Sequence, residues 1–254
     1  MRNYLLLEYL KSQITYSNLK SFVYETLRLI LFKHGYKLLP IKNNFGIDIF
    51  YDLRDLLGTN VKTVVDVGAN NGEYAREFSK NVNVQSYIAI EPDETLHHDL
   101  TEALSVFQEY KIYTVVLGEI KRKVNFNIAT SETMNSVLSK GLDSWHLINR
   151  VIEVNQTTGD YLTKDIMIDF LKIDTQGYDL QVLKGFKSKL RKKQIKFILC
   201  EQIFSDLYHK QGRFSDLLIF MEQYGYDLVG MYNCHYRNAR ISFADILFGL
   251  RTIK

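Results

Sequence analysis

The sequence predicts an α/β protein built on a mostly parallel β-sheet, and three stretches carry that expectation. Residues 61–67 form a short valine-rich run that suits a strand buried on both faces. The run leads into Gly68-Ala69-Asn70-Asn71-Gly72, a turn where backbone must pass close to something, and Glu73-Tyr74 then opens a helix with Tyr74 and Phe78 on one face. Two further apolar runs stop at an acid in the same way, one at Glu91 and one at Asp174. A strand, a glycine turn and a helix N-terminus together make a nucleotide site at the carboxyl edge of a parallel sheet.

The loop spacing narrows the nucleotide. A dinucleotide fingerprint, G-x-G-x-x-G, needs a second glycine where backbone meets a pyrophosphate, and Asn70 stands there instead. A phosphate-cradling G-x-x-x-x-G-K-[ST] is absent as well. Asp66-Val-Gly-Ala-Asn-Asn-Gly72 resembles the first motif of class I S-adenosylmethionine-dependent methyltransferases. The competing reading of this loop alone is an ordinary strand-to-helix turn.

The chain has 254 residues, enough for one large α/β domain, and 46% hydrophobic with 24% charged residues is a globular composition. A net charge of +3 is too small to argue for nucleic acid, and none is expected as a partner. Cys200 and Cys234 lack metal-ligand spacing. Cys200 follows Phe197-Ile-Leu and reads as a buried thiol in a reducing compartment, so a cytoplasmic location is expected. The N-terminus lacks the apolar core and cleavage site of a signal peptide, and no uncharged run approaches the ~18 residues of a spanning helix.

The elements follow in order. Residues 1–39 read as a helical extension to a domain over residues 40–254. Leu19, Phe22, Val23, Leu27, Ile30 and Leu31 share one face, and Gly35 and Pro40 close the segment. That face packs on the domain as a cap, or docks peripherally on a membrane or on a second copy. Within residues 41–57, Ile47, Ile49 and Tyr51 alternate as in a hairpin, before a turn at Gly58-Thr59-Asn60. The second strand, from residue 86, ends at Glu91, 19 residues beyond Gly72, where a carboxylate can accept two hydrogen bonds from ribose hydroxyls. Pro92 stops it, and residues 93–104 form a helix.

Residues 111–117 read as a third strand ending at Gly118-Glu119, and residues 124–128 alternate as a strand, giving a tight strand pair. Residues 131–155 are polar and irregular, with Asn135-Ser136 and the only tryptophan, Trp145; such an insertion suits a substrate-facing lid. Residues 170–173 are a buried strand, Gly177 permits a sharp exit beyond Asp174, and a short helix is closed by Gly185. Seven Lys/Arg among residues 184–196 read as a solvated helix face, or else as a lure for an anionic partner. Residues 195–200 form the fifth strand, ended by Glu201. A helix over residues 215–224 precedes a closing pair of strands, 226–232 and 244–250.

Four blocks give a more specific resemblance. Asp66-Val-Gly-Ala-Asn-Asn-Gly-Glu-Tyr74, Ile90-Glu-Pro92, Leu117-Gly-Glu119 and Leu171-Lys-Ile-Asp-Thr-Gln-Gly-Tyr-Asp-Leu-Gln-Val-Leu-Lys-Gly185 resemble the FkbM family of methyltransferases in order and spacing, over roughly residues 60–250. Asp179 stands where the family usually carries a glutamate, and Glu119 where it usually carries an aspartate. The resemblance implies a seven-stranded Rossmann-like sheet in the order 3-2-1-4-5-7-6 with an antiparallel last pair. It implies S-adenosylmethionine as cofactor, S-adenosylhomocysteine as product, and a hydroxyl as the methyl acceptor. The matching positions expected to bind the cofactor are Asp66, Gly68, Ala69, Asn70, Gly72, Glu73, Tyr74, Glu91, Pro92, Leu117 and Asp174.

Methylating an alcohol needs alignment, exclusion of water and a general base. Asp174 and Glu201 end adjacent strands in the implied order, and neighbouring strands lie about 4.8 Å apart, so the two carboxylates can converge. Asp174 is the first candidate base, Glu201 shares that role or positions the acceptor, and His209 is a third candidate. The carboxylates could instead hold a divalent metal, but a third ligand is not evident, and no metal is assigned. Asn135, Ser136, Gln176 and Tyr208 are the candidate acceptor-binding residues. The aromatic-polar mix of Tyr208, Tyr232, His235 and Tyr236 favours a sugar or glycolipid hydroxyl over a small polyketide-like one. A short-chain dehydrogenase needs Tyr-x-x-x-Lys near its site, yet the spacing occurs only at Tyr16–Lys20. The Pro-Pro element of many nucleic-acid amine methyltransferases is excluded because only Pro40 and Pro92 exist. A non-catalytic cofactor-binding module is the remaining alternative.

Overall fold

The computed structural model describes residues 16–38 and 45–251. The chain divides into two compact units, residues 1–44 and 45–254. In the first, helix α1 (Tyr16–Lys33) covers the apolar periodicity, and the turn after it places Gly35 at φ +82°. Residues 1–15 and 39 of the expected extension lie outside the described residues. Among those described, no helix is long and apolar enough to cross a membrane.

The second unit holds helices α2 (Ile49–Leu57), α3 (Glu73–Asn81), α4 (His97–Leu104), α5 (Gly159–Leu162), α6 (Asp179–Lys184), α7 (Lys187–Arg191) and α8 (Phe214–Gln223). Its strands are β1 (Asn60–Val67), β2 (Asn83–Ile90), β3 (Glu109–Tyr113), β4 (Val116–Leu117), β5 (Arg122–Ala129), β6 (Ile148–Thr157), β7 (Ile168–Ile173), β8 (Ile195–Ile203), β9 (Tyr226–Arg237) and β10 (Arg240–Leu250). Seven of them form one sheet in the order β3-β2-β1-β7-β8-β10-β9. With β4, β5 and β6 set aside, this is the implied 3-2-1-4-5-7-6. Only the β8–β10 and β10–β9 pairings are antiparallel.

The period-two alternation of strand side chains splits the core into two layers. Val65, Val67, Leu171, Ile173 and Ile198 pack on one face with Val182, Phe186 and Met221. Val64, Tyr87, Phe170 and Leu199 pack on the other with Leu53, Phe78 and Leu100. Phe78 ties α3 to the sheet: its ring centroid lies 5.3 Å from Phe170, and 5.9 Å from both Phe50 and Tyr74.

Four local expectations change. The expected hairpin before β1 is α2, because Asp48 accepts the Tyr51 N–H at 2.9 Å as an N-cap and Ile49 and Leu53 fall together at i, i+4. The expected third strand breaks after Tyr113, whose carbonyl takes the Glu91 N–H, and Val116–Leu117 leaves for a second sheet. That sheet, β4-β6-β5, replaces the expected tight pair. Its middle strand β6 occupies residues read as irregular lid, where Arg150, Glu153 and Asn155 masked the inward alternation of Ile152, Val154 and Gln156. The lysine-rich segment is not simply solvated. Lys189 is buried with Nζ on the Ile166 carbonyl, Lys187 pairs with Glu119 at 2.6 Å, and Lys196 pairs with Asp169 at 2.7 Å.

Phe78→Ala is expected to lower unfolding free energy by about 3–5 kcal/mol, as for other buried aromatic truncations. Urea denaturation should show a lower midpoint at unchanged m-value.

Candidate active site

The site starts at the exit of β1. Gly68 sits at φ +80°, and a Cβ there would collide with the Asp174 carbonyl, so only glycine lets β1 and β7 leave the sheet side by side. Gly72, at φ +82°, is pressed against Ala103 and Leu100 of α4. Every backbone N–H from Gly68 to Glu73 already has an acceptor in the fold. Gly68 and Ala69 donate to the Ile90 carbonyl, Asn70 to Glu91 Oε2, Asn71 to Asn70 Oδ1, Gly72 to the Ala69 carbonyl, and Glu73 to Asn71 Oδ1. The loop therefore offers no spare donors to a pyrophosphate, in agreement with the missing second glycine.

Glu91 caps β2. Its two carboxylate oxygens accept the N–H groups of Asn70 at 2.9 Å and Asp93 at 2.8 Å. Burial pushes its pKa up to about 7 despite those bonds.

Beneath the loop lies a charge cluster that the sequence reading did not assign. Lys172, next to the carboxyl end of β7, is 8% exposed. Its Nζ lies 3.2 Å from Asp66 Oδ1, 3.3 Å from the Gly68 carbonyl and 3.6 Å from Asp174 Oδ2. Burial works against its charge, but Asp66 and Asp174 hold its pKa above the ordinary lysine value. Asp66 is fully buried, also accepts from Tyr87 Oη at 2.8 Å, and is raised by desolvation. It is thus an internal prop and not part of the cleft wall. A lysine inside an otherwise apolar strand was the signal for Lys172.

The cleft above this cluster has a volume of about 800 Å³. Gly68, Ala69, Asn70, Glu73, Tyr74, Glu91, Pro92 and Leu117 line it, together with Asp174, Gln176, Glu201 and Asn135. Asp245 of β10, directly across from Glu201 in register, joins the same floor. It too was missed; its only signal was an acid between the buried Ala244 and Ile246. Burial raises Asp245 to about 6, although Asn233 donates to it at 2.7 Å. Glu201 is raised well above the ordinary glutamate value by desolvation, then by Asp174, Asp179 and Asp245. Asp179, beside this group on α6, is raised to about 8 by burial and by Asp174, and its Oδ1 has no hydrogen-bond partner.

Several expected site residues stand apart from the wall. Gly72 supports the loop from behind. Ser136 and Tyr208 are buried and reach the site only through Gln176. His209 is exposed and does not line the cleft; its backbone N–H is tied to the Ser139 carbonyl at 2.8 Å. Exposed and outside the lining, it is not brought to Asp174 or Glu201, which corrects its candidacy as a base. Tyr232 also leaves the aromatic set, because its hydroxyl is committed to buried Asp52 at 2.7 Å. His235 and Tyr236 remain on the wall, joined by Trp145 from the insertion. Among the described residues, no group of three or more His, Cys, Asp or Glu side chains is arranged to hold a metal ion.

Two buried polar atoms on the wall lack partners: Tyr74 Oη and Asn135 Nδ2. Asn135 Oδ1 is fixed by the Ala129 N–H at 2.8 Å, so its amide cannot turn to satisfy the nitrogen without losing that bond.

Comparison with known proteins places the Methyltransferase FkbM domain on residues 66–228, more than half of the chain. No curated protein sequence matches. Among solved structures, magnesium protoporphyrin IX methyltransferase from Synechocystis PCC 6803, with bound S-adenosylmethionine, aligns at 9% identity and TM-score 0.46, covering 80% of this chain and 76% of that one. Precorrin-6y C5,15-methyltransferase from Geobacter metallireducens GS-15 aligns at 11% identity and TM-score 0.43, covering 78% and 85%. TrmK from M. capricolum, in complex with S-adenosylhomocysteine, aligns at 11% identity and TM-score 0.43, covering 79% and 66%. Likenesses this distant carry no inference about substrate.

The buried carboxyls give a pH dependence with a definite sign. Asp179, Glu91 and Asp245 rise to about 8, 7 and 6 from ordinary values of 3.8, 4.5 and 3.8. Between those limits the folded chain binds more protons than the unfolded chain, so these groups make stability fall as pH rises. The depressed acids Asp169 and Glu119 act below this window. Denaturation midpoints are expected to drop from pH 5 to pH 8, and Asp179→Asn should flatten the upper part of that slope. A slope of opposite sign would contradict the buried-carboxyl account.

Proposed function

The chain belongs to the FkbM methyltransferase family, and from that premise we propose that it methylates a hydroxyl of a sugar or glycolipid, using S-adenosylmethionine. One observation carries the reading. Asp174 and Glu201, at the tips of adjacent parallel strands, share the side-chain amide of Gln176 on the floor of a cleft that begins at the glycine loop.

The residues present fit the cofactor. Glu91 retains acceptor capacity for ribose hydroxyls, since each carboxylate oxygen has two lone pairs and one is used. The unpartnered Tyr74 hydroxyl is available to the methionine end, and the acidic floor suits a sulfonium cation. When bound, S-adenosylmethionine supplies a methyl group on a positively charged sulfur that leaves as a neutral thioether. The oxygen of the acceptor gains the methyl, and its proton passes to the Asp174–Glu201 pair. Lys172 keeps Asp174 paired with a cation, while burial and the neighbouring acids raise the proton affinity of Glu201, which suits it to receive that proton.

Asn135 Nδ2, unpartnered on the wall, would donate to an oxygen of the acceptor. Trp145 and Tyr236, 61% and 66% exposed, would offer rings to sugar faces. A small polyketide-like hydroxyl compound is the second reading, favoured by the apolar wall residues Val115, Val137 and Phe243. We assign transfer to residues 40–254. The extension over residues 1–39 is assigned peripheral membrane or self-association contact, supported by the exposed Phe22, Leu29 and Phe32 of α1. A cytoplasmic location fits the free thiols Cys200 and Cys234.

Calorimetry should detect S-adenosylmethionine binding that tightens as pH rises through about 7, where Glu91 ionises. Glu91→Gln should weaken binding by about tenfold or more and remove that pH dependence. With binding intact, Asp174→Asn and Glu201→Gln should each slow methyl transfer by roughly 10²–10⁴-fold. The acceptor class is tested by mass spectrometry of glycans from cells lacking the enzyme; an unchanged methyl-sugar profile would favour the small-molecule reading.

A further inference from the structure

We propose that Gln176 is a positioning residue: its amide holds Asp174 and Glu201 together on one nitrogen, and Tyr208 and Ser136 fix the direction in which that amide faces. The inference deepens the methyl-transfer reading and rests on it for the role of the two carboxylates.

The geometry uses every polar atom of the side chain. Gln176 Nε2 donates to Asp174 Oδ1 at 3.0 Å and to Glu201 Oε2 at 2.8 Å. Its Oε1 accepts from Tyr208 Oη at 2.9 Å. A primary amide has two N–H donors, and both are spent on carboxylates. Turning the amide over would set its carbonyl oxygen against two acids and forfeit two charge-assisted bonds, so the surroundings dictate the orientation.

The backbone is gripped as well. Gln176 lies at φ +52°, a region uncommon for residues other than glycine. Ser136 Oγ donates to the Gln176 carbonyl at 2.9 Å, and Ser136 Oγ also accepts the Leu138 N–H at 3.0 Å. Tyr208 is anchored independently: it is buried, its ring lies 5.6 Å from that of His146, and its hydroxyl also lies 3.2 Å from the Met134 carbonyl. Ser136, Met134 and His146 all belong to the insertion between β5 and β6. The insertion therefore holds the catalytic carboxylates through a single glutamine, without contacting them.

What the amide does follows from the charges around it. Asp174 and Glu201 face Asp179 from α6 and Asp245 from β10, with Asp66 below and Lys172 of β7 as the cation among them. Close carboxylates resist joint ionisation. A donor shared by both offsets part of that repulsion and favours the charged form of Glu201. Without it, Glu201 stays protonated to higher pH, and its proton-accepting form becomes scarce.

The test compares wild type with Gln176→Leu and Tyr208→Phe. Carboxyl ¹³C NMR on the full chain without cofactor follows the titration of Glu201, assigned with Glu201→Gln. Gln176→Leu is expected to raise the titration midpoint of Glu201 by about one pH unit or more, with Tyr208→Phe moving it part of the way. S-adenosylmethionine affinity should change by less than about threefold, while kcat at pH 7 falls about tenfold or more and recovers at higher pH. An unchanged titration in Gln176→Leu, or a fall in cofactor affinity parallel to the fall in kcat, would overturn the assignment. Because the NMR readout needs neither cofactor nor acceptor, a shifted titration without any methyl transfer would sustain the role of Gln176 and count only against the enzymatic reading.

Discussion

One buried ammonium group ties the site together. Lys172 projects from near the carboxyl end of β7 to the Asp66 carboxylate, the Gly68 carbonyl and Asp174. These contacts join three separate requirements: the end of β1, the turn of the glycine loop and the acid that terminates β7. Burying a charge is tolerated only when it is paired and hydrogen-bonded, and here one cation serves two acids. Removing Lys172 would leave the buried Asp66 without its cation, so the prop and the turn above it depend on one residue.

That arrangement sets the electrostatic character of the cleft. The glycine loop has spent its backbone donors internally, which disfavours a phosphate group at the turn. The same cleft gathers Asp174, Glu201 and Asp245 around a single lysine, which favours a cationic ligand. Ligand charge and reaction type are thus constrained by the same residues, through burial that raises the carboxyl pKa values and hydrogen bonds that resist the rise.

The parts of this architecture that were legible in sequence are local ones. Valine-rich runs that stop at Asp66, Glu91 and Asp174 specify strand, turn and acid within a few residues, and parallel order follows from alternation with helices. The misread segments failed where two periodicities overlapped or where partners were distant. Ile47, Ile49 and Tyr51 satisfy a strand period, but the N-cap of Asp48 and the burial of Asp52 against Tyr232 select a helix. β6 looked irregular because its exposed polar residues outnumber its partly buried apolar ones and its partner β5 lies across the insertion. His209 looked like a candidate base because a loop histidine gives no sign of which way its turn faces.

By itself, the sequence determined the strand-end carboxylates, the glycine loop and the family, because each depends on residues adjacent in the chain or on motifs of fixed spacing. Only the tertiary structure decided that Asp66 supports Lys172 and stays out of the cleft wall, that Asp245 joins Glu201 on the floor, and that Gln176 bridges Asp174 and Glu201. The Asp66–Lys172 pair and the Gln176–Glu201 bond join residues far apart in sequence, and Asp245 meets Glu201 through the antiparallel register of β10 on β8. Burial and charge coupling depend on that three-dimensional proximity, which no local pattern encodes.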